Sequence, residues 1–267
     1  MKFQLTQDYH IHSVLSTCSS DERQSPERIL QYALDEGLDE IVITDHLWDA
    51  AVPGANSWYA PQDIAHVSKS LPLPQADGVK FYFGCETEWR KDYVLGLAKE
   101  NLDLFDFIII PTSHFHFVDF TMDPKAGVEE RAKAYIDRLD RLLDLDLPFR
   151  KIGIAHPACG LLSVPGQKGT WKNILDAVPT DEYHRIFARI REKGAGVELN
   201  DDDFDFSRKT PDEIESTVRP FAIAKEEGCK FYFGSDAHHP NIFALSRERL
   251  NFAVEAIGLN EDDKFRI

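Results

Sequence analysis

Residues 25–46, SPERILQYALDEGLDEIVITDH, decide the fold class because they join a well-bounded helix to a buried strand. A helix is predicted over 25–37 from its Ser-Pro start and from the glycine that ends it. The run 40–46 is apolar on both faces, which is typical of a strand in a parallel sheet that helices cover on both sides. The stretch therefore predicts one helix-to-strand unit of an α/β fold.

The same arrangement recurs near the end of the chain. Residues 210–228 run from a Thr-Pro start to a closing glycine and lead into the apolar stretch KFYFGSDAH at 230–238. Pro220 is predicted to kink or split this helix, because proline removes a backbone hydrogen bond. A further helix over 181–193 precedes the strand AGVELN at 195–200. Repetition of the unit favours a parallel sheet built from alternating helices and strands.

Four more strands and one more helix complete the predicted pattern. The strands are predicted over 7–12, 79–86, 105–114 and 150–157, with a helix over 127–145. About seven such units fit the length, which favours a distorted seven-stranded (β/α)7 barrel of the TIM-like type; a doubly wound open sheet is the alternative. Residues 47–78 are rich in proline and are predicted to form a loop-rich insertion with one short helix near 61–70. Residues 1–267 are expected to form a single domain, since no linker interrupts them.

Composition limits the classes of partner. The formal net charge of -16 disfavours binding to a long nucleic acid, because such a surface repels phosphate backbones. No apolar run approaches the length of a membrane span, and the N-terminal residues lack the apolar core of a signal peptide. The four cysteines are scattered and do not form a CxxC pair, which favours free thiols or ligands over disulfides. A cytoplasmic enzyme is expected.

Imidazole and carboxylate groups stand where the predicted strands end. These residues are His10, His12, Asp45, His46, Glu86, His114, His156, Asp236 and His238. Barrels and open α/β sheets both place their active sites at this edge. One histidine after a strand is usually a hydrogen-bonded structural residue, but six of the ten histidines share this position, which favours a metal site. The remaining four are expected not to bind metal: His66, His116, His184 and His239.

These motifs also resemble those of a known family. The ordered motifs are HIH (10–12), TDH (44–46), GCE (84–86), SH (113–114), AHP (155–157) and GSDAH (234–238). In this order they resemble the PHP (polymerase and histidinol phosphatase) family, from residue 8 to about residue 240. The resemblance implies a distorted seven-stranded barrel and a metal-dependent phosphoesterase similar to histidinol phosphatases.

The resemblance implies two or three divalent metal ions, for which Zn, Mn and Fe suit the mixed ligands. The first ion would be held by His10, His12, Glu86 and Asp236, the second by Glu86, His114 and His156, and the third by His46 and His238. Asp8 and Asp45 are expected to orient ligand imidazoles. Cys18 stands where trinuclear members often have a histidine, so it is either a thiolate ligand of the third site or an inert thiol.

The expected reaction is hydrolysis of a small-molecule phosphomonoester by a metal-bound hydroxide, with Glu86, Asp236 and His238 as catalytic residues. Three alternatives stay open: a phosphodiesterase or short-oligonucleotide nuclease, an amidohydrolase-type enzyme, and a non-catalytic metal-binding regulatory module. Arg90 and Arg247 either clamp phosphate or are ordinary surface residues.

Overall fold

A computed structural model describes the backbone of residues 1–267 and the side chains of all of them except 244–246. The strands are β1 (Gln7–Ile11), β2 (Glu40–Ile43), β3 (His46–Leu47), β4 (Lys80–Thr87), β5 (Phe107–Pro111), β6 (Ile152–Ala155), β7 (Gly196–Asn200) and β8 (Lys230–Gly234). The α-helices are α1 (Pro26–Glu36), α2 (Ile64–Val67), α3 (Val128–Leu143), α4 (Thr170–Ala177), α5 (Thr180–Lys193), α6 (Pro211–Glu226) and α7 (Phe243–Ile257). Short 3₁₀ turns join several of them.

The strands form one parallel sheet in the order β1-β2-β4-β5-β6-β7-β8, and β3 pairs with the carboxyl end of β4. The sheet nearly closes on itself, because a bridge joins Ile11 to Ala237 just beyond β8. Backbone hydrogen bonds strengthen this seam: the N–H of Asp236 donates to the carbonyl of His10 at 2.7 Å, and that of His12 to the carbonyl of Ala237 at 3.2 Å. The predicted α/β barrel is confirmed, and the open doubly wound sheet is excluded.

The helices begin and end where the sequence signals place them. In α1 the Ser25 hydroxyl accepts from the N–H of Arg28, and Gly37 ends the helix with a φ of 64°. In α6 Thr210 caps the first turn. The predicted split at Pro220 is wrong, because α6 runs through this residue without a break. Pro220 lies on the buried face of α6, and packing of that face offsets the hydrogen bond that proline removes.

The insertion at 47–78 is mostly irregular, and α2 with the following 3₁₀ turn forms the short helix predicted near 61–70. The insertion is anchored by buried Trp48 and Tyr59. Trp58 is half-buried, and its ring packs against the ring of His46 in a T-shaped arrangement, with centroids 4.9 Å apart. The insertion therefore reaches the carboxyl-end mouth of the barrel, where the candidate site lies.

The barrel interior is filled at one end by apolar side chains and at the other by polar ones. The interior apolar cluster consists of Tyr9, Val42, Phe107, Ile109, Ala155, Tyr232 and Phe265. The pairing of β1 with β2 shifts register between Asp8 and Ile11. This irregularity lets consecutive residues, Tyr9 and His10, both face the interior. None of the described helices is both long enough and apolar enough to span a membrane.

Candidate metal centre

Glu86, near the carboxyl end of β4, lies at the middle of a buried cluster of imidazole and carboxylate groups. Three sets of side chains each bring their donor atoms within 4.8 Å of one another: His12 with His46 and His238, His10 with His12 and Glu86, and Glu86 with His114 and His156. His12 and Glu86 each belong to two sets, so the three sets form one continuous centre.

The first set surrounds the two histidines of β1. The Nε2 atoms of His10 and His12 face each other at 3.0 Å. Glu86 Oε2 lies 3.4 Å from the Nε2 of His10 and 3.3 Å from that of His12. Asp236 Oδ1 completes the group, at 3.3 and 3.1 Å from the same two nitrogens.

The other two sets lie on either side of Glu86. Its Oε1 is 3.3 Å from the Nε2 of His156 and 3.7 Å from that of His114. Its Oε2 is 2.9 Å from the Nδ1 of His46. The ring of His12 stacks on that of His238, with centroids 4.1 Å apart. The two oxygens of one carboxylate therefore face separate groups of imidazoles.

An outer layer of acceptors fixes the rings contributed by β1. The Nδ1–H of His10 donates to Glu198 Oε1 at 2.7 Å. The Nδ1 of His12 donates to the Ser16 hydroxyl at 2.9 Å, and this hydroxyl in turn donates to Asp45 Oδ1 at 2.7 Å. With the proton at Nδ1, each neutral ring turns the lone pair of Nε2 toward the centre.

The rings on the opposite side are held in the same way. The Nδ1 of His114 donates to Glu88 Oε2 at 2.8 Å, and that of His156 donates to the Ser113 hydroxyl at 2.9 Å. The Nδ1 of His238 donates to the backbone carbonyl of Asp236 at 2.7 Å. These imidazoles also direct their remaining nitrogen inward.

The donors fit a divalent cation. Lone pairs and carboxylate oxygens that converge at 3.0 to 3.4 Å repel each other unless a proton or a cation lies between them. The Nδ1 of His46 is buried and makes no hydrogen bond, although it lies close to Glu86. Imidazole and carboxylate ligands together suit Zn, Mn or Fe.

The pKa shifts of Glu86 and His10 also indicate that the centre requires positive charge. Burial alone would raise the pKa of Glu86, but the charges of His46 and His10 hold it well below its usual range. Burial alone would lower the pKa of His10, but the carboxylates of Asp236, Glu198 and Glu86 hold it well above its usual range. Without a metal, protons on imidazoles therefore balance the carboxylates of the centre.

Two residues of the centre have a left-handed backbone. His156 has a φ of 26° and Asp236 a φ of 52°, which costs free energy for a residue other than glycine. The N–H of His156 donates to Glu198 Oε2 at 2.6 Å, which holds the backbone in this conformation. Such conformations concentrate at functional sites.

Glu198 is an outer residue that the sequence analysis missed. It lies on β7, is fully buried, and crosses β8 to reach His10. The crossing depends on Gly234, because a Cβ there would lie 1.9 Å from Glu198 Oε1 and 2.7 Å from the Cβ of His10. Glu88 was also missed, although it follows Glu86 by two residues and lies directly after the end of β4.

Several predicted roles differ in the structure. Asp8 does not contact an imidazole; it accepts from the N–H groups of Ser235 and His10 and from the Tyr32 hydroxyl, so it ties the barrel seam instead. Asp45 helps to orient the imidazole of His12 indirectly, because it accepts from the Ser16 hydroxyl that in turn accepts from His12.

Cys18 is exposed in the loop after β1. Among the residues whose side chains are described, its sulfur does not belong to any of the three donor sets. Loss of solvent around the sulfur and the nearby charges of Glu86 and Asp236 raise the pKa of the Cys18 thiol. Cys18 therefore lies near the mouth but outside the donor sets, and its role as a ligand stays a prediction.

The other residues singled out in the sequence lie outside the donor sets, although the ring of His116 lies against the ring of the donor His114, with centroids 5.0 Å apart. Among the described side chains, His66, His116, His184 and His239 do not enter the donor sets. Arg90 pairs with Asp92, and Arg247 bonds the carbonyls of Leu5 and Glu36. Neither arginine is placed to clamp a phosphate. Cys85 is fully buried in packing, as predicted.

The centre opens to solvent on the side of Asp236 and His238. The side chains of Asp236 and His238 are 24% and 27% exposed, whereas that of His46 is 8% exposed and the rest are more buried. A cavity of about 140 Å³ adjoins this side and is lined by His156, Cys159, Gly160, Leu161, Asn200, Asp202 and Asp236. A ligand therefore approaches past Asp236.

Comparison with known proteins agrees with this geometry. A family model described as the PHP domain matches residues 8–202. The histidinol phosphate phosphatase HisK from Lactococcus lactis subsp. lactis Il1403, solved in complex with zinc, L-histidinol and phosphate, has a TM-score of 0.60 at 17% identity, over 98% of this chain and 99% of that one.

The putative histidinol phosphatase hisK from Listeria monocytogenes has a TM-score of 0.62 at 13% identity, over 88% of this chain and 96% of that one. At such identities both structures show a shared fold. No curated protein sequence matches the chain at a significant level. Because the family model spans most of the barrel, and because the donor sets occupy its carboxyl-end mouth, the chain belongs to the PHP domain family and is a metal-dependent hydrolase.

Proposed function

We propose that the protein hydrolyses a small-molecule phosphomonoester with two or three divalent ions. The ligands would be His10, His12, His46, Glu86, His114, His156, Asp236 and His238. The observation that carries this proposal is the position of Glu86, whose two oxygens face separate imidazole groups. Glu86 would thus contribute to holding two neighbouring cations, and paired cations supply the charge stabilisation that phosphoryl transfer uses.

When bound, such ions lower the pKa of a water molecule and neutralise the oxygens of the phosphate. In the net reaction the water oxygen bonds to phosphorus, the ester P–O bond breaks, and a proton passes to the leaving oxygen. Glu86 fixes the spacing of the two buried donor sets. Asp236 and His238 stand at the open side of the centre, so we assign them to the leaving-group end.

The charges around the cavity support a strict need for metal. The described residues that line the 140 Å³ cavity do not include lysine or arginine, whereas they do include Asp202 and Asp236. A phosphate dianion is repelled by these carboxylates unless cations bind it. The complex of the Lactococcus enzyme with phosphate supports a phosphate ester as the substrate of this chain.

The test is a substrate panel on protein freed of metal and then loaded with Zn, Mn or Fe. We expect turnover of phosphomonoesters with at least one metal and loss of turnover in the metal-free protein. Activity on phosphodiesters alone or on amides alone would replace the phosphatase proposal with one of those reactions. Metal binding without turnover of any panel member would favour a regulatory module.

A further inference from the structure

A second, larger cavity lies beside the first. It has a volume of about 590 Å³, within the range of small-molecule sites, and shares Gly160 and Leu161 with the 140 Å³ cavity at the metal centre. One wall is the loop after β5, with His116 and Val118, and the other is the segment 160–171. We call it the side groove. The shared residues place the side groove next to the cavity that reaches the donor residues His156 and Asp236.

The side groove has a different chemistry from the metal centre. Its apolar and aromatic lining comes from His116, Val118, Leu161, Val164, Pro165 and Trp171. Val118 and Leu161 are 44% and 36% exposed, although both are large apolar side chains. Among the described residues that line the side groove, Lys168 is the one with a positively charged side chain. Exposed apolar side chains that line a cavity next to a catalytic site indicate a place for an apolar part of a ligand.

The two walls are held together from beneath by a buried arginine on α3. Arg131 is fully buried, and its Nη1 donates to the carbonyls of Phe115 at 3.4 Å, Leu162 at 3.2 Å and Ser163 at 3.2 Å. Phe115 belongs to the loop after β5 and the other two to the opposite wall. The groove is therefore formed by fixed backbone before a ligand arrives, which lowers the entropic cost of binding.

We propose that the side groove binds the alcohol half of the substrate, and that this half is apolar or aromatic. The inference rests on the proposed function: with the phosphate at the metal centre, a substituent that extends past Asp236 would reach Gly160 and Leu161, which line both cavities. The substituent then lies over Leu161 and Val118. A charged substituent would lose hydration in the side groove. Among the described lining residues, an anionic substituent would meet Lys168, whereas a cationic one would not meet a carboxylate.

The experiment compares three phosphomonoesters of primary alcohols: 2-phenylethyl, ethyl and 4-aminobutyl phosphate. Their leaving oxygens are alike, so a difference in kcat/KM reports recognition of the substituent. We expect the metal-loaded enzyme to prefer 2-phenylethyl phosphate to ethyl phosphate by about tenfold or more, because burial of a few apolar groups gives discrimination of this size. A preference for 4-aminobutyl phosphate, or equal kcat/KM values, would overturn the inference.

Variants locate the preference in the groove. Leu161→Ser and Val118→Ser should each reduce the ratio of kcat/KM between 2-phenylethyl and ethyl phosphate several-fold. Because both side chains are exposed, we expect both variants to fold like the wild type. The control is Leu104→Ser, a leucine that is 54% exposed in the turn before β5 and does not line either cavity. An unchanged ratio in both groove variants would overturn the inference.

Binding separates this inference from the proposed function. If none of the three esters is hydrolysed, the phosphatase proposal fails, and calorimetry with 2-phenylethylphosphonate and ethylphosphonate still tests the groove. Tighter binding of the phenyl compound that Leu161→Ser abolishes would support the groove. Equal binding of the two phosphonates would overturn it.

Discussion

The substitution Glu198→Gln tests the metal centre most directly, because Glu198 touches two parts of it without belonging to the donor sets. One carboxylate oxygen accepts from the Nδ1–H of His10 at 2.7 Å and from the side-chain amide of Asn200 at 3.1 Å, and the other accepts from the N–H of His156 at 2.6 Å. Glutamine has the same shape but carries an NH₂ group on one side. This group must face either His10 or His156, and both present an N–H there.

Each orientation of the amide has a defined cost. If the NH₂ group faces His10, the ring proton moves to Nε2, where it points at the Nε2 of His12 3.0 Å away and blocks a metal ligand. If the NH₂ group faces His156, a buried backbone N–H loses its acceptor at a residue with a φ of 26°. Loss of a buried hydrogen bond to a charged group costs about 1.5–3 kcal/mol, which agrees with the roughly 10- to 100-fold loss of metal affinity that outer-residue substitutions cause.

The assay is competition for metal between the protein and a coloured chelator, with the unfolding temperature of the metal-free protein measured in parallel. We expect Glu198→Gln to weaken the tightest site by about 10- to 100-fold, and excess metal to restore activity. The matched control is Glu227→Gln, which removes a similar carboxylate from the Nδ1 of His184 at 2.7 Å, away from the centre. Metal affinity within twofold of the wild type in Glu198→Gln would refute the reasoning.

Three further predictions concern the same centre. Glu88→Gln should weaken metal binding by about tenfold, because it replaces the carboxyl group whose oxygen accepts from the Nδ1 of His114, and unchanged affinity in the chelator assay would contradict this. The pKa values of His10 and His156 are raised well above 6.5, so in the metal-free protein both keep protons above that pH, and metal must displace them. Apparent metal affinity should therefore still rise above pH 7, by up to about tenfold per pH unit for each proton released, and a plateau at pH 7 in the same assay would count against it. Cys18→Ser should leave the number of bound metal ions unchanged in elemental analysis, whereas loss of one equivalent would place the thiolate in a third site.

The positions of the candidate donors could be predicted from the sequence because two local signals coincide. An apolar run marks a strand, and the polar residue that follows it lies at the strand's carboxyl end, where a parallel sheet collects such residues. Glu86 and Asp236 follow this rule, and the structure brings both to the same place. The barrel itself follows from repetition of the helix-to-strand unit, since each unit adds one parallel strand.

The features that were not predicted depend on contacts between distant parts of the chain. Glu198 lies within an apolar strand, and only the closed barrel shows that it reaches His10 across Gly234. Helices α4 and α7 were not predicted. The split expected at Pro220 is absent, because the burial of this residue on α6 could not be read from local sequence. Local signals place side chains at an edge of the sheet, whereas the pairing across the barrel decides which of them touch.

The same distinction bears on how the enzyme could acquire specificity. The donor residues are fixed by strand ends and by buried carboxylates, so substitution there changes metal binding. The side groove is formed instead by His116 and Val118, which follow the donor His114 in the loop after β5, and by residues within 160–171. These lining residues do not belong to the donor sets and do not accept hydrogen bonds from the donor rings. Exposed loop positions such as Leu161 can change without disturbing the barrel. If the groove binds the alcohol half, differences in substrate between members of this fold should therefore arise in these two loops while the donor sets remain the same.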